Sequence, residues 1–470
     1  MKTNEFDQKL IQVVPTERQV ALQQMEFYSF VHFTVNTFTG KEWGDGTEDP
    51  AVFNPTRLDA RQWVKAVKSA GMKGLILTCK HHDGFCLWPS KYTEHSVAAS
   101  PFRGGKGDLV REVSDACREA GLRFGVYLSP WDRNNKTYGQ GKPYNDYFVN
   151  QLTELLTNYG DICTVWFDGA CGEGANGKKQ VYDWERYYEV IRRLQPGACI
   201  HICGPDIRWC GNEAGDTREA EWSVVPERMK DTEKVAADSQ QSDDASFRQK
   251  KLTARDKDLG SRSALQGEDR LIWYPAEVDT SIRPGWFYHE EEDDRVRSLE
   301  ELIHIYETAV GGNAMLLLNI PPDKEGLFHE NDCRRLAEIG EYLSRTYGEN
   351  LLEKAAIRSD SKEEGHGIES VRIDGYDDYY KTEDGIRTAE IYIDFPEPVN
   401  VSHVVMKENI RLSQRIEAFE ILDETEKCLY KGSVVGYKKI AAFEEVKTGS
   451  LKIRILDSRV CPTLSFIGVY

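Results

Sequence analysis

What the chain lacks narrows its options first. Nowhere do its 470 residues reach the ~20 consecutive apolar positions that a membrane helix needs. Met1 to Gln12 is polar and has no apolar signal core. The chain as it stands therefore reads as cytoplasmic, or as a mature secreted or periplasmic form from which a signal was removed. Positive charge is in deficit: 60 Lys and Arg stand against 78 Asp and Glu, a formal charge of −18. Such a surface repels phosphates, so nucleic acid and membrane insertion are not expected. The cysteines number 11, and no paired CxxC pattern accompanies them. Most lie in apolar, strand-like contexts, which implies buried free thiols. Cys199, Cys203 and Cys210, with His201 alternating on the same run, are not read as a zinc site.

What is present is a repeated pattern. Tyr28–Thr34, Leu75–Lys80, Arg123–Ser129, Asp161–Phe167 and Cys199–Gly204 are short apolar runs with strand-favouring residues. Helical spacing follows them, as at Trp63, Val64, Val67 and Ala70 after a capping Asp59, or from Leu109 to Ala120 before Gly121. Strand then helix, five times over, means parallel pairing with right-handed crossovers. The order then falters. Glu219–Val225 is expected as a sixth strand, Pro226–Glu268 as a charged surface excursion, Leu271–Val278 as a seventh strand and Ala314–Asn319 as the eighth. The fold class is thus α/β, an irregular (β/α)8-like barrel occupying residues 1–348. Beyond it, short alternating runs separated by turn residues predict an all-β sandwich over residues 349–470.

The strand ends carry the chemistry. His32, Glu42 and Trp43 follow the first strand, and His81, His82 and Asp83 the second. Tyr127, Trp131 and Asp132 close the third, Asp168 the fourth, and Asn212 and Glu213 come after the fifth. Glu277, Asp279 and Trp286 belong to the seventh. In a barrel these ends converge on one mouth. Carboxylates, imidazoles and indoles are the groups that hold and cleave a sugar, and glycoside hydrolysis needs two carboxylates in different environments. Asp168 is one; Glu42, Asp83, Glu173, Glu213, Glu277 and Asp279 are candidates for the other, with Glu213 only modestly ahead of Glu277. The rival chemistry is a divalent ion held by His81, His82, Asp83, Asp168 and His201.

His81-His82-Asp83-Gly84-Phe85, Trp166-Phe167-Asp168-Gly169 and Gly312-Asn313-Ala314 through Ile320-Pro321-Pro322 together resemble the α-L-fucosidases of glycoside hydrolase family 29, over residues 20–347. Trp209 to Gly215 and Pro275 to His289 are similar to the subgroup selective for α-1,3/1,4-linked fucose. That resemblance implies a retaining exo-fucosidase acting on fucosylated oligosaccharides or glycoconjugates, without cofactor or metal. Asp168 would be the nucleophile and Glu213, 213 − 168 = 45 residues later, the acid/base. His32, Glu42, Trp43, His81, His82 and Tyr127 would surround the sugar hydroxyls, and Trp286 would meet the C5 methyl. Arg283 would shape the pocket or brace a turn. The sandwich resembles discoidin-like carbohydrate-binding modules, with a structural brace as its default role. Two alternatives stand beside this reading: a retaining glycosidase for another galacto-configured sugar, and a non-catalytic binder of fucosylated glycans.

Overall fold

A computed structural model of the chain describes residues 5–239 and 257–470. The middle of the expected excursion, residues 240–256, lies outside the described residues. Eight strands form one parallel sheet that nearly closes on itself. They are β1 (Phe27–Val31), β2 (Gly74–Lys80), β3 (Arg123–Leu128), β4 (Thr164–Phe167), β5 (Cys199–Ile202), β6 (Arg208–Trp209), β9 (Ala276–Ser281) and β10 (Met315–Asn319). The order around the sheet is β5-β4-β3-β2-β1-β10-β9-β6. Between them run helices α1 (Ala60–Ser69), α2 (Leu109–Ala120), α3 (Lys142–Asn158), α4 (Trp184–Leu194), α6 (Leu299–Ala309) and α7 (Glu330–Tyr347).

Local chemistry sets these boundaries. The Asp59 carboxylate accepts from Arg61 N to start α1, and Asp108 does the same for α2 through Arg111 N. Gly121 ends α2 in the left-handed region, at φ 72°, where a Cβ is unwelcome. The apolar stripe of α1, Trp63, Val64 and Val67, is buried against the outside of the sheet. A second cluster fills the barrel, with Tyr28, Phe30, Ile76, Tyr127, Trp166, Met315 and Leu317 directed inward.

The seam of the barrel differs from expectation. The sixth strand is Arg208–Trp209, two residues paired only with β9. The run expected there contributes instead to a separate antiparallel pair, β7 (Val224–Pro226) with β8 (Leu271–Trp273). The expected seventh strand therefore breaks in two, and only its second part, β9, joins the barrel. Of Glu219–Val225 only Val224 and Val225 are in a strand, and partner choice is a long-range matter that alternation does not encode. Across the gap between β5 and β6, Ile207 N donates to Ile200 O at 3.4 Å. The Asp206 carboxylate accepts from Ile200 N at 2.8 Å and is held by Arg18 and Arg192. A side chain does there what a neighbouring strand would do elsewhere.

The C-terminal part is a six-stranded antiparallel sheet: β11 (Ala356–Ser359), β12 (Ala389–Lys407), β13 (Ile416–Asp423), β14 (Cys428–Gly432), β15 (Lys439–Ser458) and β16 (Phe466–Val469). Bulges between Asp394 and Val399 and between Val401 and His403 bend β12, so its first half serves β11 and its second half β16. A single long strand thereby feeds both layers around one core of Ile391, Val404, Phe419, Ile453 and Ile467. This sheet is tied to the barrel by polar contacts. Buried Glu26 accepts from Lys438 Nζ and Tyr437 OH, both at 2.8 Å, and lies 3.3 Å from Lys407 Nζ. Those cations hold the Glu26 carboxyl well below the ordinary range, against the opposing effect of its burial. Ile440 N donates to Gly311 O at 3.0 Å, directly after α6. Among the described residues, no helix is long and apolar enough to cross a membrane.

Candidate active site

The carboxyl ends of the strands open into a recess of about 560 Å³ between atoms, mouth included. Asp168 leaves the end of β4 and Glu213 the loop after β6, and both line this recess. Phe30, Trp166 and Trp286 supply apolar surface, while His32, His81, His82, Glu42, Trp43 and Asp279 supply polar groups. Ala170 and Ser239 complete the wall. Ser239 follows helix α5 (Thr232–Asp238) and packs so tightly on Gly169 that a Cβ there would lie 2.2 Å from Ser239 Oγ. The glycine after Asp168 is therefore required by close approach.

Asp168 is held on both oxygens. Tyr127 OH donates to Oδ2 at 2.7 Å and Ala170 N to Oδ1 at 2.7 Å. Burial lifts its carboxyl to about 6, against the lowering effect of those hydrogen bonds. Tyr127 stands behind the recess, stacked on Trp166 with ring centroids 5.4 Å apart, and its hydroxyl is committed to Asp168. The Glu213 carboxylate accepts from Trp286 Nε1 at 3.3 Å, and its main-chain oxygen from Thr280 Oγ1 at 2.8 Å.

The three imidazoles are neutral and their tautomers follow from their partners. Burial drives His32 and His82 down to about 3 and His81 well below the ordinary value. Asn319 Nδ2 donates to Trp286 O, so its Oδ1 faces His32 and takes the Nδ1–H at 2.8 Å. Ser129 gives its proton to Trp131 O and so accepts from His82 Nδ1–H at 2.7 Å. Both rings are left with Nε2 as an acceptor. In His81, Asn36 Nδ2 approaches Nδ1 at 3.5 Å, which leaves Nε2–H as a donor. His82 Nε2 lies 3.7 Å from Asp168 Oδ2, too far for a direct bond, with a lone pair facing a carboxylate.

Glu42 clamps the opposite wall. Its oxygens accept from Trp286 N at 2.8 Å, Phe287 N at 3.2 Å and His289 Nε2 at 2.7 Å. That contact raises the His289 pKa. Trp43 meets His82 and Trp131 edge-on, with centroids 5.6 Å apart in each case.

Other candidates fall elsewhere. Glu277 sits beneath the recess, fully buried, taking Tyr28 OH, Trp166 Nε1 at 2.7 Å and His201 Nδ1 at 2.9 Å. Burial opposes its ionisation, but these three neighbours outweigh it and lower its pKa. Its acceptor sites are taken, so it has no approach to a substrate. Asp83 accepts from Phe85 N and Thr34 Oγ1 inside the loop. Glu173 lies outside the recess, in a bridge to Lys179. Arg283 is a brace, buried between Asp332 at 2.9 Å and Asp293 at 2.8 Å. His81, His82 and Asp168 do offer ligand atoms within 4.8 Å of one another, a set that could take a divalent ion. Phe30, Ser239 and the positioning role of Asn319 were not anticipated from sequence. The period-two face shared by Phe30 and His32 was the available signal for the first.

A family model for alpha-L-fucosidase matches residues 15–349. Alpha-L-fucosidase 1 of Arabidopsis thaliana is 38% identical over 97% of this chain and 87% of its own length. A crystal structure from Bacteroides ovatus, whose protein carries a provisional alpha-L-fucosidase name, superposes with a TM-score of 0.85 at 44% identity, covering all of this chain and 76% of that one. A Ruminococcus gnavus GH29 fucosidase solved in complex with fucose gives a TM-score of 0.83 at 29% identity, over 97% of this chain and 95% of that one.

Proposed function

The chain belongs to the alpha-L-fucosidase family and is a glycoside hydrolase, and from that premise we propose that it releases terminal α-1,3/1,4-linked L-fucose with retention of configuration. The observation that carries this reading is the single recess in which Asp168 and Glu213 stand among three neutral imidazoles.

In the first half-reaction Asp168 attacks the anomeric carbon while Glu213 protonates the departing oxygen; in the second Glu213 takes a proton from water, which displaces Asp168. Tyr127 and Ala170 N fix the nucleophile and carry part of its charge. His32 and His82 accept from sugar hydroxyls through Nε2, and His81 donates. A hydroxyl seated between His82 Nε2 and Asp168 Oδ2 would fill the 3.7 Å gap between them. Phe30, Trp166 and Trp286 meet the apolar C5 methyl. The ligand set of His81, His82 and Asp168 is assigned to the sugar, so dialysis against EDTA is expected to leave activity intact. Residues 349–470 brace the barrel, a role supported by the Glu26 contacts.

The test is fucose release from 2-, 3-, 4- and 6-linked oligosaccharides by mass spectrometry, with proton NMR of the first-formed anomer. Release from the 3- and 4-linked glycans with α-fucose appearing first is expected. β-Fucose as first product overturns retention; release chiefly from the 2- or 6-linked glycans overturns the linkage. Activity on aryl galactosides with none on any fucoside overturns the sugar.

A further inference from the structure

The mechanism above gives no part to two carboxylates of the recess: Glu42, which is spent on Trp286, Phe287 and His289, and Asp279. Asp279 stands on β9, two residues beyond Glu277 and on the same inward face, and it is 2% exposed. Trp209 Nε1 donates to its Oδ1 at 2.7 Å. Trp209 is on β6, four residues before Glu213, and Trp286 donates to Glu213 from the other side. Two indoles thus aim two carboxyl groups into one small space.

The charges around Asp279 are of its own sign. Glu213, on the loop after β6, lines the same recess and Glu277 lies on the same strand, both acting on it with like charge, and the neighbouring Cys210 thiol is buried and protonated. Further round the recess stand Asp168, Glu42 and the neutral His32. His201 is committed to Glu277. Two carboxyl groups that share one recess and act on one another by like charge resist ionising together; they give up their protons in two steps that belong to the pair. Burial, Glu213 and Glu277 all act to keep a proton on Asp279, against the opposing bond from Trp209.

We propose that Asp279 is a positioning residue that shares one proton with Glu213 and so keeps the acid/base charged with it before glycosidic cleavage. This rests on the reading of Glu213 as acid/base. With one proton between them, the reactive form is Glu213 protonated beside ionised Asp279. When Glu213 passes that proton to the departing oxygen, the pair is left with two negative charges. That repulsion makes Glu213 a stronger base toward water in the second half-reaction, which restores the proton.

The experiment is the pH profile of kcat/KM for Asp279→Asn, measured on a fucosylated trisaccharide and on 2,4-dinitrophenyl fucoside. The basic limb on the trisaccharide reports loss of the last proton of the pair. Asparagine has the shape of the acid and no charge to give, so that limb is expected to move to lower pH by about one unit or more. The dinitrophenyl substrate needs no acid, and its loss should be several-fold smaller. An unmoved limb, or equal losses on both substrates, overturns the proposal and makes Asp279 a prop for Trp209. Should Asp279→Asn fail to fold, infrared titration of wild type and Glu213→Gln reads the same coupling. A protonated-carboxyl band that titrates at lower pH in Glu213→Gln supports it, and an unchanged band overturns it. Glu213→Ala separates the premise: azide rescue on the activated fucoside retains the acid/base reading whatever Asp279 does, and absence of rescue removes that reading itself.

Discussion

Replacing Tyr127 by phenylalanine should move the acid limb of activity upward. The hydroxyl donates to Asp168 Oδ2 at 2.7 Å, and its loss removes an interaction that favours the ionised carboxylate. A hydrogen bond to a charged group contributes about 1.5–3 kcal/mol. At about 1.36 kcal/mol per pKa unit, that is a rise of roughly one to two units. On the proposed mechanism Asp168 is ionised to attack, and burial lifts its carboxyl to about 6, so wild-type kcat/KM should fall as pH drops through 6. In Tyr127→Phe the limb should lie at roughly pH 7 to 8. At pH 6 the ionised fraction then drops from about one half to between ~10% and ~1%, a loss of roughly 5- to 50-fold. Above pH 8 most of the loss should vanish. The assay is kcat/KM for an aryl fucoside from pH 4 to 9, with circular dichroism to verify folding. A loss independent of pH, or a limb that moves downward, refutes the idea that the phenol acts through the charge of Asp168.

Asp168→Asn should abolish turnover yet stabilise the fold at neutral pH. A carboxyl raised from 3.8 to about 6 binds its proton more tightly when folded, so stability is lost as pH rises through that window, by roughly 3 kcal/mol above it. Urea midpoints should therefore exceed wild type at pH 7 and match it below pH 4; equal midpoints at both would contradict this. Glu42→Gln weakens the clamp on Trp286, Phe287 and His289, and KM for fucosides should rise about tenfold with a smaller change in kcat. An unchanged KM would show that the 286–289 segment holds its place unaided. Glu26→Gln leaves Lys438 and Lys407 with a neutral partner, and a loss of about 3–5 kcal/mol in urea unfolding is expected. A loss below ~1 kcal/mol would mean that Tyr437 and Asp374, whose Oδ2 lies 2.6 Å from Lys407 Nζ, suffice for those cations.

The first five barrel strands were legible because each buries a short apolar run and ends at a polar residue or a turn. Asp168 was legible for the same reason: a carboxylate at the end of such a run has one place to go. The sixth strand was not. Arg208 and Trp209 carry no pattern, and their place is set by pairing with Ala276 and Glu277, which lie 68 residues away in each case. Sequence ranks Glu277 only modestly behind Glu213 because it shows a carboxylate and a strand, not depth. Its three partners, Tyr28, Trp166 and His201, come from three other strands. The protein partners of Tyr127 and Glu42 were not legible: the Tyr127 hydroxyl donates to Asp168, and Glu42 accepts from Trp286 N, Phe287 N and His289. Such second-layer contacts depend on how loops fold over the mouth, which local propensity does not determine.

The unequal support of the two carboxylates has a consequence for time as well as space. Asp168 extends from a strand locked between β3 and β5, whereas Glu213 hangs from a two-residue strand bonded on one flank, across a seam stitched by the Asp206 side chain. Fluctuations gather where the ladder is thinnest. On the proposed mechanism the nucleophile must meet one carbon along one line, and a rigid mount suits it. Glu213 then serves an oxygen that departs and a water that arrives, two positions that do not coincide, and its mount is the thinnest part of the ladder.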